Sequence, residues 1–541
     1  MNIRVSNQEP GNKPDDKMLN EGVKGYQLKK LSVFLLLAVL FFGWGTPLQA
    51  DESEPGESEM AEPVEEVLPT DDLAAGKVLY EKLCISCHGV EGDGDGPAAD
   101  FFEPKPRSFK KAEYKYRTTP KGALPTDDDL FRAIARGLPG TGMPDWADKL
   151  NKKKINQVIK YIKTFSDKWD NQQGPHDVIP VGEPVASSEE SIEKGKKQFT
   201  ALGCTLCHGA EGRGDGATAS VLTDHRGDPV YPRNLSKNWL FRGGGETKDI
   251  YMRINTGLNG TPMPSFADQL DNEQSWDLAN YVRSLSPAVQ PERGSMIKSG
   301  RVDGDVPSDP EDPLWQEAEA SWFPMMGQIT FEERLFTPSV TDITVKSLYN
   351  DKEIGFLLIW DDRSKSKKKA PPKPTFTDQV AIQFPEKLQP GGVVKPYFIM
   401  GDEKLGVNLW TWRAEENQFL ESNANGIHAE EQFQPVSDVK GKGSYVNGQY
   451  RVVMKRALNT GDTEKDIQFE SGVFYPIAFH AWDGGNGETL TKRSVTPWYF
   501  VLMTPETPKS VYIFPPVVVI IVFGLEFLLQ KMLRKNRDSS A

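Results

Sequence analysis

Cysteine is scarce, with four in 541 residues. All four lie in two C-X-X-C pairs, Cys84/Cys87 and Cys204/Cys207, which leaves none for a disulfide or a cysteine-ligated iron–sulfur cluster. Basic charge is also short. The 64 Lys and Arg against 77 Asp and Glu leave a net −13, and no basic stripe interleaved with aromatics runs through the polar part, which excludes a nucleic-acid binder. An acidic chain suits basic docking partners. A Gly-rich phosphate loop, paired catalytic carboxylates and a Ser/His/Asp grouping are missing as well; Gly243-Gly244-Gly245 reads as a loop. At this length the chain divides into three or four units, by the prior of roughly 100–200 residues per domain.

Long apolar runs occur at the two ends. Lys24, Lys29 and Lys30 precede Leu31–Trp44, which is short for a bilayer span and is followed by Gly45-Thr46-Pro47 and Ala50. Residues 1–50 therefore read as a secretory signal with an extended basic region, Met18 being an alternative start and an uncleaved anchor the alternative reading. Val511–Leu529 is long enough to span a membrane and is followed by Lys531, Arg534, Lys535 and Arg537. A transmembrane helix over 510–530 and a cytoplasmic tail over 531–541 are expected, with 51–508 in the periplasm or its equivalent.

What is present most plainly is a repeat. Cys84, Cys87, His88 and Met143 recur as Cys204, Cys207, His208 and Met263, each displaced by 120 positions. Glu91-Gly92 and Gly94-Asp95-Gly96 recur as Glu211-Gly212 and Gly214-Asp215-Gly216, and Ile134, Gly137, Leu138, Gly140 and Thr141 recur as Ile254, Gly257, Leu258, Gly260 and Thr261. Each copy closes on an amphipathic helix, with Val158, Tyr161, Ile162 and Phe165 in the first and Leu278, Tyr281, Val282 and Leu285 in the second. Two helical domains follow, 73–172 and 190–288, separated by a linker over 173–189 and preceded by an acidic linker over 51–72.

After a second linker, 289–309, the period becomes two. Ile343/Val345, Val380/Ile382/Phe384 and Val473/Tyr475/Ile477/Phe479 alternate, and Asn447-Gly448 between Tyr445 and Tyr450 marks a two-residue hairpin. An antiparallel β-sandwich over 310–505 is expected. The basic, proline-rich run Lys365–Lys373 reads as an exposed loop.

In C-X-X-C-H two thiols can add to the vinyl groups of one haem while the histidine supplies an iron ligand. A zinc site would need four ligands per copy, and the repeats share no further Cys or His. Met143 in Gly142-Met143-Pro144 and Met263 in Pro262-Met263-Pro264 are the shared candidates for the sixth ligand; a lone methionine is ordinarily core filler, but the matched offset and proline-flanked loops favour ligation. A thioether stabilises ferrous iron and fills the position that peroxidase chemistry needs. Together with the helical frame, these residues resemble two class I cytochrome c domains.

A second resemblance rests on Pro396-Tyr397-Phe398-Ile399-Met400-Gly401-Asp402, Asn408-Leu409-Trp410-Thr411-Trp412, Ala481-Trp482-Asp483-Gly484 and Lys492-Arg493-Ser494-Val495-Thr496-Pro497-Trp498. These are similar to the haem-binding γ subunits of periplasmic molybdenum enzymes such as ethylbenzene dehydrogenase and nitrite oxidoreductase. The resemblance implies a b-type haem held by Met400 and Lys492, a molybdopterin catalytic subunit, an iron–sulfur subunit, and a cytochrome c or terminal oxidase as the other electron partner. Lysine ligates iron only as the neutral amine, and His428 and His480 are rival ligands, His480 the stronger. Two all-α cytochrome c domains, an antiparallel β-sandwich haem domain and one C-terminal transmembrane helix are thus expected, with two covalent haems c and one haem b. A membrane-anchored electron-transfer subunit is the function this implies, with nitrite oxidoreductase the named system; a dihaem peroxidase and the dihaem subunit of a terminal oxidase are the alternatives.

Overall fold

The computed structural model describes residues 68–102, 104–171, 177–366, 375–389, 394–505 and 510–538. The signal segment, most of the acidic linker, most of the basic run Lys365–Lys373 and the end of the tail lie outside them.

Each repeat is built on capped helices around a crossing pair. The first holds α1 (Asp72–Leu83), α2 (Ile85–His88), α3 (Asp127–Arg136) and α4 (Lys152–Lys163); the second holds α5 (Glu189–Ala201), α6 (Thr205–His208), α7 (Thr247–Thr256) and α8 (Asn272–Ser284). Asp71, Thr126, Asn151, Ser188 and Asp271 cap five of these by accepting first-turn N–H bonds, and Thr126 and Asp271 form full capping boxes with Asp129 and Gln274. α1 crosses α4 at Gly76, where a Cβ would stand 2.0 Å from the Gln157 carbonyl oxygen; α5 crosses α8 at Gly195, 2.1 Å from that of Asp277. Neither crossing tolerates a side chain. Leu79, Tyr80, Ile155, Val158 and Ile162 fill the first core, and Phe199, Trp276, Leu278, Tyr281 and Val282 the second. The second repeat also carries an isolated antiparallel bridge, Thr223–Pro229.

The sandwich departs from the expectation in two respects. Its sheet is mixed, not antiparallel, because β1 (Met296–Arg301) runs parallel to both its neighbours, β4 (Asp342–Tyr349) and β14 (Tyr499–Met503). β1 also lies inside the stretch read as a linker: of its six residues only Ile297 and Ser299 are buried, so it has no alternating apolar signature. The other long strands are β5 (Glu353–Asp361), β6 (Gln379–Pro385), β7 (Val407–Arg413), β8 (Gln418–Ala424), β10 (Lys440–Val446), β11 (Gln449–Ala457) and β12 (Phe474–Trp482), and the short ones are β2 (Ser321–Pro324), β3 (Met326–Gly327), β9 (Gln432–Phe433) and β13 (Ser494–Val495). They run β10-β11-β5-β4-β1-β14-β12-β6-β7-β8 through one continuous sheet that folds over on itself. The two limbs meet through Phe356 and Phe384, 5.9 Å between ring centroids, and Trp360 and Trp412, 6.2 Å. Each such ring buries on the order of 1.5–3 kcal/mol of transfer free energy. The hairpin at Asn447-Gly448 is as expected, with φ of 48° and 74° and Tyr445 opposite Tyr450.

The second repeat docks on the sandwich through charge. Lys237 Nζ reaches Asp342 Oδ2 at 2.8 Å and Asp361 Oδ2 at 3.1 Å, Asn234 donates to Asp361 at 2.9 Å, and Arg213 donates to the Asn447 carbonyl at 2.9 Å. The first repeat touches it at Phe101 and Phe336, 5.1 Å between rings. The last element, α9 (Ser510–Asp538), contains Pro515–Arg534, long and apolar enough to cross a membrane, with mean hydropathy 2.0 and none of its most apolar window buried against protein.

Candidate haem sites

Cys84 ends α1 and His88 ends the single turn α2, so one turn of helix sets both thiols and the imidazole on one cavity. His88 Nδ1 donates to the Arg107 carbonyl at 3.0 Å, and His208 Nδ1 donates to that of Arg233 at 3.0 Å. A carbonyl can only accept, so the proton sits on Nδ1 and the Nε2 lone pair remains for iron. Burial holds both imidazoles below the ordinary histidine range, in the neutral form a metal requires. The acceptor loop comes this close because Gly94 and Gly214, at φ +81° and +82°, lack the Cβ that would stand 2.6 Å from Pro106 O and 2.7 Å from Pro232 O. All four cysteines are free of disulfides; burial pushes the Cys84 thiol up to about 12 and that of Cys204 up to about 11.

The methionine loops repeat bond for bond. Leu138 N donates to Met143 O at 3.0 Å and Met143 N to Thr141 Oγ1 at 3.1 Å; Leu258 N donates to Met263 O at 3.2 Å and Met263 N to Thr261 Oγ1 at 3.3 Å. Cys84, Cys87, His88 and Met143 line one cavity of about 190 Å³, and Cys204, His208 and Met263 line another of about 140 Å³.

The two cavities share a wall made by Tyr116 and Arg242. Around it Arg107, Arg233 and Arg253 are half-buried, and the partial loss of water lowers all three guanidinium groups and brings the latter two to about 10. Arg253 Nε has no hydrogen-bond partner. Burial would raise the Tyr116 phenol, but Arg242, Arg233, Lys115 and Arg253 together lower it. A haem brings an apolar ring and two carboxylates; apolar cavities with a neutral His and a Met, beside surplus half-buried guanidinium groups, fit both parts.

In the sandwich, Met400 is 5 % exposed with φ +64°, and its N–H donates to Gln383 Oε1 at 2.9 Å. Its sulfur accepts from Arg493 Nη1 at 3.3 Å. Arg493 is buried, which lowers it to about 10; it lies 4.8 Å over the Trp482 ring, and its Nε has no partner. The side chain that meets Met400 is thus that of Arg493, the neighbour of Lys492, and among the described residues no hydrogen bond joins Lys492 to Met400. His480 is fully buried, driven well below its ordinary range by burial and then by Arg493, and its Nε2 lies 3.1 Å from Gln383 Oε1. His428 is exposed, its ring 5.1 Å from that of Phe331 at the margin of the cluster. Ile399, Met400, Val407, Leu409 and Trp482 form a second apolar cluster apart from the main core, flanked by Phe331, Tyr397, Phe398 and Trp498. This cluster, with a thioether and an unsatisfied guanidinium, fits a non-covalent haem. Sequence reasoning missed Gln383 and Arg493, although Arg493 directly follows the lysine it singled out.

Residues 312–435 match the ethylbenzene dehydrogenase family, 192–286 the cytochrome c family, and 71–162 the family of cytochrome c oxidase, cbb3-type, subunit III. A putative respiratory nitrate reductase heme subunit of Haloferax mediterranei is 26% identical over 234 residues, 43% of this chain and 82% of that protein. The chlorate reductase subunit gamma of Ideonella dechloratans is 25% identical over 212 residues, 38% and 83%. A chain of the Kuenenia stuttgartiensis reducing HAO-like protein complex is 42% identical over 41% of this chain and all of its own, with a TM-score of 0.39. With segments that match cytochrome c families followed by one that matches the ethylbenzene dehydrogenase family, this chain is an electron-transfer cytochrome subunit, and those matches imply covalent haem c and a haem b.

Proposed function

We propose that the chain is the membrane-anchored γ-type subunit of a periplasmic molybdenum and iron–sulfur oxidoreductase, with nitrite oxidoreductase as the named system. Electrons pass between the iron–sulfur subunit, one haem b held by Met400 and Lys492, and two haems c held by His88 with Met143 and His208 with Met263, which meet a soluble cytochrome or a terminal oxidase. The observation that carries this reading is that each C-X-X-C-H shares its cavity with the repeat-matched methionine. Met143 and Met263 would each offer a thioether to the haem iron beside His88 and His208, a ligand pair that would suit electron relay and not peroxide chemistry. Two relatives described as heme or gamma subunits of nitrate and chlorate reductases support the partner class. Lys531, Arg534, Lys535 and Arg537 beyond the apolar stretch support a cytoplasmic tail with the haem domains outside. The likeness of 71–162 to an oxidase subunit favours a second reading, a terminal-oxidase dihaem subunit, which leaves the sandwich without a role.

The test is purification of the intact complex from native membranes. Expected are stoichiometric molybdenum, a molybdopterin subunit and an iron–sulfur subunit, with pyridine haemochrome spectra giving two haems c and one haem b per chain. Co-purification with a copper-containing oxidase and no molybdenum would overturn the assignment.

A further inference from the structure

Three carboxylates far apart in sequence meet at one end of the sandwich. Asp362 follows β5, Asp378 precedes β6 and Asp483 follows β12; they are 4, 0 and 1 % exposed. One carboxylate oxygen from each lies within 4.8 Å of the others. That is the greatest separation two oxygens can have when both bind one cation at about 2.4 Å.

Most of their oxygens are engaged. Asp362 Oδ1 accepts from Ser364 N at 3.1 Å, Asp378 Oδ1 from Gly484 N at 2.9 Å, Asp378 Oδ2 from Tyr450 Oη at 2.7 Å and Ser366 N at 2.6 Å, and Asp483 Oδ1 from Asn486 N at 3.0 Å. Asp483 Oδ2 lies 3.5 Å from Arg363, the one salt bridge to the group among the described residues, and that guanidinium is also stacked on Tyr231. The exception is Asp362 Oδ2, an oxygen of a side chain more than nine-tenths buried, with no hydrogen-bond partner. An unsatisfied buried carboxylate oxygen among like charges costs several kcal/mol on the order-of-magnitude scale for buried ions unless a cation meets it. Other oxygens crowd the same place: a Cβ on Gly485 would stand 2.8 Å from both Ser364 Oγ and Ser366 Oγ and 3.0 Å from Asp483 Oδ1.

We propose that Asp362, Asp378 and Asp483 bind a hard divalent cation, Ca²⁺, at the end of the sandwich facing the second cytochrome domain. The donor set is all oxygen, which disfavours the soft and borderline metals that take Cys and His. Ca²⁺ accepts an irregular set of six to eight oxygens, whereas Mg²⁺ demands a tight octahedron and retains waters. The cation ties the strand end after β5, in one limb of the sheet, to β6 and β12 in the other. It also anchors Asp483, the start of the segment that leads to Lys492 and Arg493. Asp361, next to Asp362, receives Lys237 and Arg213 from the cytochrome domain, so the ion stiffens the ledge on which that domain docks.

The experiment uses the purified full-length protein in detergent, with haem content measured separately. Elemental analysis is expected to find one Ca²⁺ per chain, EGTA to lower the Tm, and added Ca²⁺ to restore it. Asp362→Asn touches the oxygen that makes no hydrogen bond, so it leaves the surrounding bonds in place; it and Asp483→Asn are expected to weaken Ca²⁺ binding at least tenfold and to remove the EGTA response. Asp128→Asn, on the exposed face of α3, is expected to bind as the parent does. A parent protein without Ca²⁺ and indifferent to EGTA, or an Asp362→Asn variant with a raised Tm, would overturn the proposal in favour of carboxylates whose mutual repulsion is relieved by protonation. One equivalent of a different metal would overturn the assignment to calcium.

Discussion

Lys237→Met isolates what holds the second cytochrome domain to the sandwich. Lys237 sits between Asp342 and Asp361, and its side chain and theirs are 10–13 % exposed. Losing the ammonium strands two buried carboxylates, for which breaking a buried ion pair costs about 3–5 kcal/mol. Asp361 keeps its bonds from Asn234 and Gln449 and its contact with Arg213, which sets the expectation near the lower limit, about 3 kcal/mol. At roughly 2–4 °C per kcal/mol for a unit of this size, the transition of the sandwich and docked domain should fall by about 6–12 °C. Differential scanning calorimetry reads the shift, and limited proteolysis reads the docking. The charge-compensated variant, with Asp342→Asn and Asp361→Asn added, should recover most of the loss. The pH dependence follows from the signs. Against burial, the two carboxylates hold Lys237 above its ordinary range, so its contribution is complete below about 10.4 and is lost as pH rises through the folded value. Against burial, Lys237 holds Asp361 below its ordinary range, so that contribution is complete above about 3.9 and is lost as pH falls through the folded value. Stability from the pair should therefore be flat between about pH 5 and 9. A Tm within about 1–2 °C of the parent, about half a kcal/mol on the same scale, would refute the reasoning.

Met143→Ala and Met263→Ala should each convert one ferric haem c to high spin and remove about half of the methionine–iron charge-transfer band, consistent with one thioether ligand per haem; two unchanged spectra would return both methionines to the core. Met400→Ala and Lys492→Ala should each lose the extractable haem b or turn it high spin, whereas His480→Ala should retain it; the bond to Gln383 leaves His480 Nδ1 without a partner, so this variant is the one that separates the two ligand assignments. Loss on His480→Ala alone would transfer the ligand role to the histidine.

What could be read in the sequence was what recurs at fixed spacing. Both C-X-X-C-H motifs, both methionine loops and the closing helices share one offset, and the structure sets each cysteine–histidine motif and its methionine on a common cavity. Arg107 and Arg233, whose carbonyls orient the histidines, escaped because their offset is 126, not 120. The second copy carries extra residues around Thr223–Pro229 and the first carries a compensating length before α3. The parallel β1 was invisible for a different reason: half of its inward face is Ser299, bonded to Ser347 at 2.9 Å, so its burial is polar. Asp362, Asp378 and Asp483 lie on three separate strand ends, and only the folding of the sheet makes them neighbours.

The wall of Tyr116 and Arg242 has a consequence for biogenesis. Arg117, fully buried in the first repeat, donates to the Thr256 carbonyl of the second at 3.1 Å, and Arg253 of the second returns bonds to the Lys115 and Arg117 carbonyls. Neither cavity is complete until the other repeat has arrived, so the two copies, separable on paper, mature as one piece. A chain cut between the repeats would leave its cationic inner face in water with nothing to close against it.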